Sequence, residues 1–288
     1  MKIRQLLHNY IYEQRWTLGF IEGSLELIVS GNQFEVKYIK GMPHDRWFAD
    51  PFILEYDEKI IKVLVEEFSY KLRRGRIALV VIDRKTYNVV RYKILLDIST
   101  HLSFPFIVRE DGNVFVYPEN SESGSWYRYE YDYENELLIK PQVVVNEPLT
   151  DAILTNLICD KLIFSTQTPN QNGRELMVYE ETGERRQKIV FTSNIARNAG
   201  DWFKIGEKVY RPAQDCNGGY GRAVILQEVL KNGNSFIFED VRRIVSTNKE
   251  YTTGCHTFNN YKDLTVIDVH GWRRPKITKT ILHLLNRF

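Results

Sequence analysis

A unit of about fifty residues recurs five times along this 288-residue chain, and that recurrence limits the fold more than any other feature. Each copy is a short apolar run, often opened by a polar residue, then an acidic or glycine turn, then a second apolar or aromatic run. The copies begin Asp50-Pro-Phe-Ile-Leu, Phe104-Pro-Phe-Ile-Val, Asp151-Ala-Ile-Leu, Asp201-Trp-Phe-Lys-Ile and His256-Thr-Phe. Their anchors Phe52, Phe106, Ile153, Phe203 and Phe258 stand 54, 47, 50 and 55 positions apart. Strand pairs repeated at such a period predict the blades of an all-β, five-bladed propeller.

The repeats use nearly the whole chain and no composition break divides it, so one domain is expected over 1–288. Blades fall at roughly 45–97, 98–147, 148–195, 196–247 and 248–275. Residues 1–44 are the least patterned, and a role in closing the last blade is open to them. Between the apolar runs stand turn pairs: Asp111-Gly, Asn172-Gly, Thr182-Gly, Gly218-Gly and Asn232-Gly. In the tail, Ile277, Ile281, Leu284, Leu285 and Phe288 have helical spacing. A short C-terminal helix at 276–288 is expected there, packed on the propeller edge or docking a partner.

A chain of this length buries enough surface to fold without a disulfide or structural metal. The three cysteines, Cys159, Cys216 and Cys255, lack zinc-ligand spacing and suit reduced thiols. With 39 basic and 37 acidic residues, no electrostatic case exists for a nucleic-acid partner. No apolar run reaches about 18 residues, so no membrane span is expected, and the first residues do not read as a signal peptide. A cytoplasmic protein follows. No phosphate loop, metalloprotease motif or nucleophile elbow is present, and neither cofactor nor metal is expected. The 17 tyrosines, 15 phenylalanines and 5 tryptophans suit sheets and the flat faces of sugar rings.

In a propeller, equivalent positions of successive blades converge around the channel although they lie about fifty residues apart. At the start of the first strand these positions hold Asp50, His101, Asp151, Arg197 with Asn198, and His256. At the end of the second they hold Glu66 with Glu67, Glu119, Gln167, then Arg211, Gln214 and Asp215. Apolar strands that keep ending in ionisable groups predict a polar pocket, because the same groups buried singly are costly. Asp50, Glu119 and Asp151 are the candidate catalytic carboxylates. Glu67, His101, Arg211, Gln214, Asp215, Tyr220, Arg222 and His256 are candidates for binding substrate, and His256 could also hold a channel water or ion. Blander readings stand beside these: Asp50-Pro51 as a strand-start turn, Asp151 as a strand cap, a glutamate of the 66–67 pair tied to Arg73, Arg74 or Arg76, and Arg211 with Asp215 as a structural ion pair.

Five strings resemble a known group in order and spacing: Trp47-Phe-Ala-Asp-Pro-Phe-Ile, the segment from Val65-Glu-Glu-Phe-Ser-Tyr to Arg76-Ile, His101-Leu-Ser-Phe-Pro-Phe-Ile, Tyr117-Pro-Glu-Asn-Ser and Arg211-Pro-Ala-Gln-Asp-Cys. Together, over roughly 45–270, they look like the N-terminal propeller of glucosamine inositolphosphorylceramide transferases. More distantly, the Asp-Pro strand start is similar to five-bladed hydrolases of glycoside hydrolase family 43. That likeness implies a base at Asp50, an acid at Glu119 and an acid-tuning carboxylate at Asp151. Glu119 lies one or more blades earlier than the usual acid, and Ala152 stands where that group has proline. No glycosyltransferase domain is recognisable after residue 272, so transferase activity is not expected of this chain. The expected function is carbohydrate processing at a glycoside-hydrolase-like pocket. The alternatives are a non-catalytic module that recognises a glycan or sugar nucleotide for a glycosyltransferase, and a protein-interaction propeller.

Overall fold

The computed structural model describes residues 13–158, 160–167, 173–233 and 235–273. Two strands, β1 (Glu13–Glu22) and β2 (Lys37–Tyr38), flank a short helix at Leu25–Val29 and precede the first complete sheet. That sheet holds β3 (Arg46–Tyr56), β4 (Ile60–Ser69), β5 (Arg74–Asp83) and β6 (Val89–Leu96). The next holds β7 (Ser103–Glu110), β8 (Asn113–Glu119), β9 (Trp126–Asp132) and β10 (Leu137–Val145). Then come β11 (Leu149–Thr155), β12 (Leu162–Gln167), β13 (Glu175–Glu180) and β14 (Arg185–Val190), and after them β15 (Phe203–Ile205), β16 (Lys208–Asp215), β17 (Ala223–Asn232) and β18 (Ser235–Ile244). The last pair, β19 (Phe258–Tyr261) and β20 (Leu264–Arg273), joins β1 and β2 in a fifth sheet of order β19-β20-β1-β2. The fold is the five-bladed propeller that the repeat predicts. The expected C-terminal helix at 276–288 lies outside the described residues, as do Cys159 and Asn172.

Each blade is a four-stranded antiparallel sheet, and blades pack face to face. A middle strand such as β5 is covered on both sides, so Ile77 through Ile82 form an unbroken buried run. The third strand β9 buries Trp126, Tyr129 and Tyr131 and leaves Arg128 and Glu130 partly open, which accounts for its aromatic–charged alternation. The last strands of the blades are wetter; β10 and β14 are mostly exposed or half-buried.

The ring is closed by hydrogen bonds between segments distant in sequence. β1 pairs with β20 along its whole length, from Glu13 opposite Arg273 to Glu22 opposite Leu264. Leu18 and Phe20 of β1 pack with Leu264 and Val266 of β20, and with Phe48, Ile61 and Val80 of the first complete blade.

Three innermost strands share one defect. Pairing of the first strand with the second breaks between Ala49 and Phe52, between Ser103 and Phe106, and between Thr150 and Ile153. At each break one residue has a left-handed backbone: Asp50 (φ 48°), Phe104 (φ 44°) and Asp151 (φ 48°). Such a conformation costs about 1–2 kcal/mol in a non-glycine residue. It persists where surrounding bonds dictate it, and bulges of this kind re-aim side chains next to sites.

A channel mouth lined by carboxylates

The bulge at Asp50 turns its carboxylate toward the neighbouring inner strands. Its Oδ2 accepts the amide of Phe104, at the equivalent bulge of the next blade, at 3.1 Å. The Asp50 amide donates to Asp268 Oδ2 at 3.0 Å. Asp268, in the middle of β20, also accepts the amides of His256 and Thr257 at 3.0 Å each and lies 2.7 Å from His256 Nδ1. The Thr257 hydroxyl sits between the two carboxylates, 3.1 Å from Asp50 Oδ1 and 2.8 Å from Asp268 Oδ2. His256 Nε2 is 3.5 Å from Asp50 Oδ1, and the Trp16 ring stacks on the imidazole with centroids 4.0 Å apart.

All three ionisable groups are buried. Burial works against charge on His256, but Asp268 and Asp50 outweigh it and hold the imidazole up at about 9. Burial likewise raises Asp268, yet His256 and the converging donors leave it below the usual carboxylate range. Asp50 is pushed up to about 7, first by burial and then, against the pull of His256, by the charges of Glu66, Asp268 and Asp151.

A second group forms around the bulge at Asp151. Its Oδ2 is 2.7 Å from Arg197 Nε and accepts the side-chain amide of Gln214 at 3.0 Å. The Asp151 amide donates to Glu119 Oε2 at 3.0 Å. Asn198 fixes the turn by donating to the carbonyls of Asp151 and Phe164. Glu119 is pushed up to about 8, by burial first and by the charge of Asp151 next. Tyr220 joins the two groups. Arg197 lies over its ring at 5.1 Å, its edge meets His256 at 5.3 Å, and it remains 52% exposed. It rides on a glycine-rich turn, where Gly221 (φ 57°) comes so near His256 that a Cβ would lie 2.7 Å from the His256 Cβ.

Seven of the residues expected from sequence therefore meet at one mouth of the channel: Asp50, Glu119, Asp151, His101, Gln214, Tyr220 and His256. Four are placed elsewhere. Neighbours in a strand point to opposite faces, and Glu67 pairs with Arg46 at 2.7 Å and Arg76 at 2.9 Å, whereas Glu66 faces His101, 3.3 Å from its Nε2. Arg211 is fully buried. It donates to Asn198 Oδ1, Gln227 Oε1 and the carbonyls of Ile195 and Ala196, between the rings of Phe191 and Phe238. Desolvation lowers it to about 9, against the weaker opposing charge of Asp240. The expected Arg211–Asp215 ion pair does not form; Asp215 holds Arg243 at 3.0 Å and both nitrogens of Asn217. Arg222 donates to the Thr253 carbonyl at the edge of the same turn.

Asp268 and Trp16 belong to the mouth but were absent from the positions read from the sequence, whereas Arg197 and Glu66 stood among the converging positions without being taken as site residues. Asp268 carried the clearest signal, as a lone acid inside the run Leu264-Thr-Val-Ile-Asp-Val. A charge in such a run requires a buried partner. Trp16 lies in the least patterned segment.

One atom each of Asp50, His256 and Asp268 lies within 4.8 Å of the others, close enough to ligate a cation. The bonding opposes this: both oxygens of Asp268 accept amides, and His256 held as imidazolium supplies the positive charge itself. A metal would have to replace that proton. A separate open cavity of about 660 Å³ lies between β1 and the 247–251 segment, lined in part by Arg15, Thr17, His44 and Tyr251 and by none of these carboxylates. Among the described residues no helix is long and apolar enough to cross a membrane.

Residues 37–270 match the profile of the family described as glucosamine inositolphosphorylceramide transferase 1, N-terminal. The chain is similar to the glucosamine inositolphosphorylceramide transferase 1 of rice, at 27% identity over 150 residues that cover 48% of this chain and 20% of the rice protein. It is similar to the Arabidopsis thaliana protein of the same name at 25% identity over 201 residues, 66% of this chain and 26% of that one. The chain thus spans about a quarter or less of these relatives. Among solved structures it resembles a GH43 β-1,3-galactosidase with galactodeoxynojirimycin, at 7% identity and a TM-score of 0.51, over 76% of this chain and 84% of the other. At that identity the likeness concerns the fold alone.

Proposed function

We propose, for a chain that belongs to the glucosamine inositolphosphorylceramide transferase 1 N-terminal family, that the carboxylate-lined mouth processes carbohydrate by acid–base hydrolysis. Glu119 is the general acid and Asp50 the general base. The observation that carries this reading is the hold of Asp151 on Glu119. Asp151 is fixed by Arg197 and Gln214, and burial of Glu119 first and the charge of Asp151 next keep the Glu119 proton in place near neutral pH, against the Asp151 amide that donates to it. A protonated carboxyl beside a second carboxylate poised near neutrality is the division of labour that glycosidic cleavage requires. Glu119 delivers its proton to the leaving-group oxygen, and Asp50 takes the proton of the attacking water. Tyr220, about half exposed, supplies a flat face beside them. The cytoplasm is the compartment in this reading.

The test is turnover of a panel of aryl glycosides and oligosaccharides by the wild type, Asp50→Asn and Glu119→Gln. Loss of the acid or base lowers the rate about 10²–10⁴-fold. Turnover that survives in both variants refutes the assignment.

A second reading has its own support. The relatives named as transferases are several times longer than the matched segment, and both Asp50 oxygens already have donors. In this reading the propeller recognises a glycan for a glycosyltransferase and turns nothing over. Calorimetry that detects glycan binding, with no product released, separates the two.

A further inference from the structure

Glu66 is the charged group at the channel mouth to which hydrolysis gives no task. It is 6% exposed, and its Oε1 is buried without a hydrogen-bond partner. His101 Nε2 stands 3.3 Å away but without the alignment of a hydrogen bond. A buried carboxylate oxygen left without a donor is costly, and natural structures keep few of them.

The surroundings say what completes it. His101 Nδ1 accepts the Gly75 amide at 3.0 Å, so in this arrangement the ring proton is on Nε2, facing Glu66. An acceptor and an N–H donor set side by side without an aligned bond between them complement a hydroxyl, which donates to Oε1 and accepts from Nε2. The same place disfavours an anion, because the carboxylates of Glu66 and Glu122 both stand against His101. Phe68 follows Glu66 by two positions and shares its strand face. Its half-buried ring lies parallel to Trp47 at 4.6 Å, with the His101 ring 6.4 Å away. An aromatic surface held by a second ring beside a hydroxyl-reading pair has the makeup of a sugar subsite. Gly75 is part of the construction: a Cβ there would lie 2.5 Å from Glu66 Oε1 and against the Leu102 carbonyl.

We propose that Glu66 and His101, with Phe68 beside them, form a subsite that takes a hydroxyl of an uncharged sugar ring and turns away sugar phosphates. The proposal rests on the reading of this mouth as a carbohydrate site, and its test separates the two. The full chain, labelled at histidine, is titrated with galactose, glucose, xylose, arabinose, galactose 1-phosphate and glucose 1-phosphate while the His101 and His256 ring signals are followed by NMR. At least one neutral sugar is expected to shift His101 saturably, with its 1-phosphate binding tenfold or more weakly. Glu66→Gln is expected to weaken that sugar tenfold or more. His101→Gln, at a half-exposed position, is expected to do the same when read at His256, and serves if Glu66→Gln does not fold. Sugars that shift His256 and leave His101 unmoved overturn the subsite and spare the carbohydrate reading. Equal binding of a sugar and its 1-phosphate, or undiminished binding in the variants, also overturns it. If none of the six probes moves either histidine, both readings fall.

Discussion

Asp268→Asn tests the bonding of the channel mouth with a change of one atom. Asp268 is fully buried. Its Oδ1 accepts the amides of His256 and Thr257, and its Oδ2 accepts that of Asp50. A carboxamide has one acceptor end, so in either orientation its NH₂ meets a backbone N–H head-on. A hydrogen bond to a charged group contributes about 1.5–3 kcal/mol, and breaking a buried ion pair costs about 3–5 kcal/mol. Because His256 can shed its proton to relieve part of this, the expected loss is about 4 kcal/mol. At about 2–3 °C per kcal/mol for a chain of this size, Tm falls by about 8–12 °C. Thermal unfolding followed by far-ultraviolet circular dichroism measures it. Asp215→Asn is the comparator, since Asp215 pairs with a half-exposed Arg243, and it is expected to cost about 1 kcal/mol. A second readout is charge. His256 is raised to about 9 from an ordinary 6.5. Its contribution to stability is therefore fully present below about pH 6.5 and lost as pH rises through 9. In Asp268→Asn the imidazole titrates well below 9 and that alkaline loss shrinks. A Tm within 3 °C of the wild type, with His256 still titrating near 9, would refute the account.

Glu119→Gln should change the pH dependence of stability in a fixed direction. Glu119 is raised from 4.5 to about 8, so between those values the folded state keeps a proton that the unfolded chain releases, and wild-type stability falls as pH rises through that window. The variant lacks this loss, so its Tm gains on the wild type between pH 5 and pH 8; parallel Tm curves would contradict the assignment. Arg211→Lys should lower stability by about 2–4 kcal/mol in urea titration, because an ammonium cannot reach the four acceptors that the guanidinium fork holds. An unchanged urea midpoint would show that the fork contributes nothing.

The propeller was legible because every blade must cover a sheet on each side, which forces apolar runs to recur at the spacing of the blades. Asp50 and Asp151 were legible for a related reason: they open inner strands at equivalent steps, and the bulges that aim them recur with the repeat. Which residue of a neighbouring pair faces the channel was not legible. Glu66 rather than Glu67, and Gln214 rather than Asp215, is decided by the pairing register of β4 and β16, and one step of register exchanges the two faces of a strand. Arg211 misleads for a different reason. A buried guanidinium satisfied by carbonyls and amides leaves no acidic partner in the sequence to reveal it. Asp268 escaped because polar residues were sought at strand ends, and it lies in the middle of a ten-residue strand.

The pairing of β1 with β20 sets an awkward order of assembly. During synthesis the ribosome releases β1 first among the twenty described strands, and its partner emerges last of them. Trp16, Leu18 and Phe20 must wait while more than two hundred further residues are made, as a greasy edge open to any passing strand. Four blades can be complete while the molecule is still an open arc. A nascent chain stalled before residue 264 is therefore the species most exposed to aggregation, and the one with most need of a chaperone.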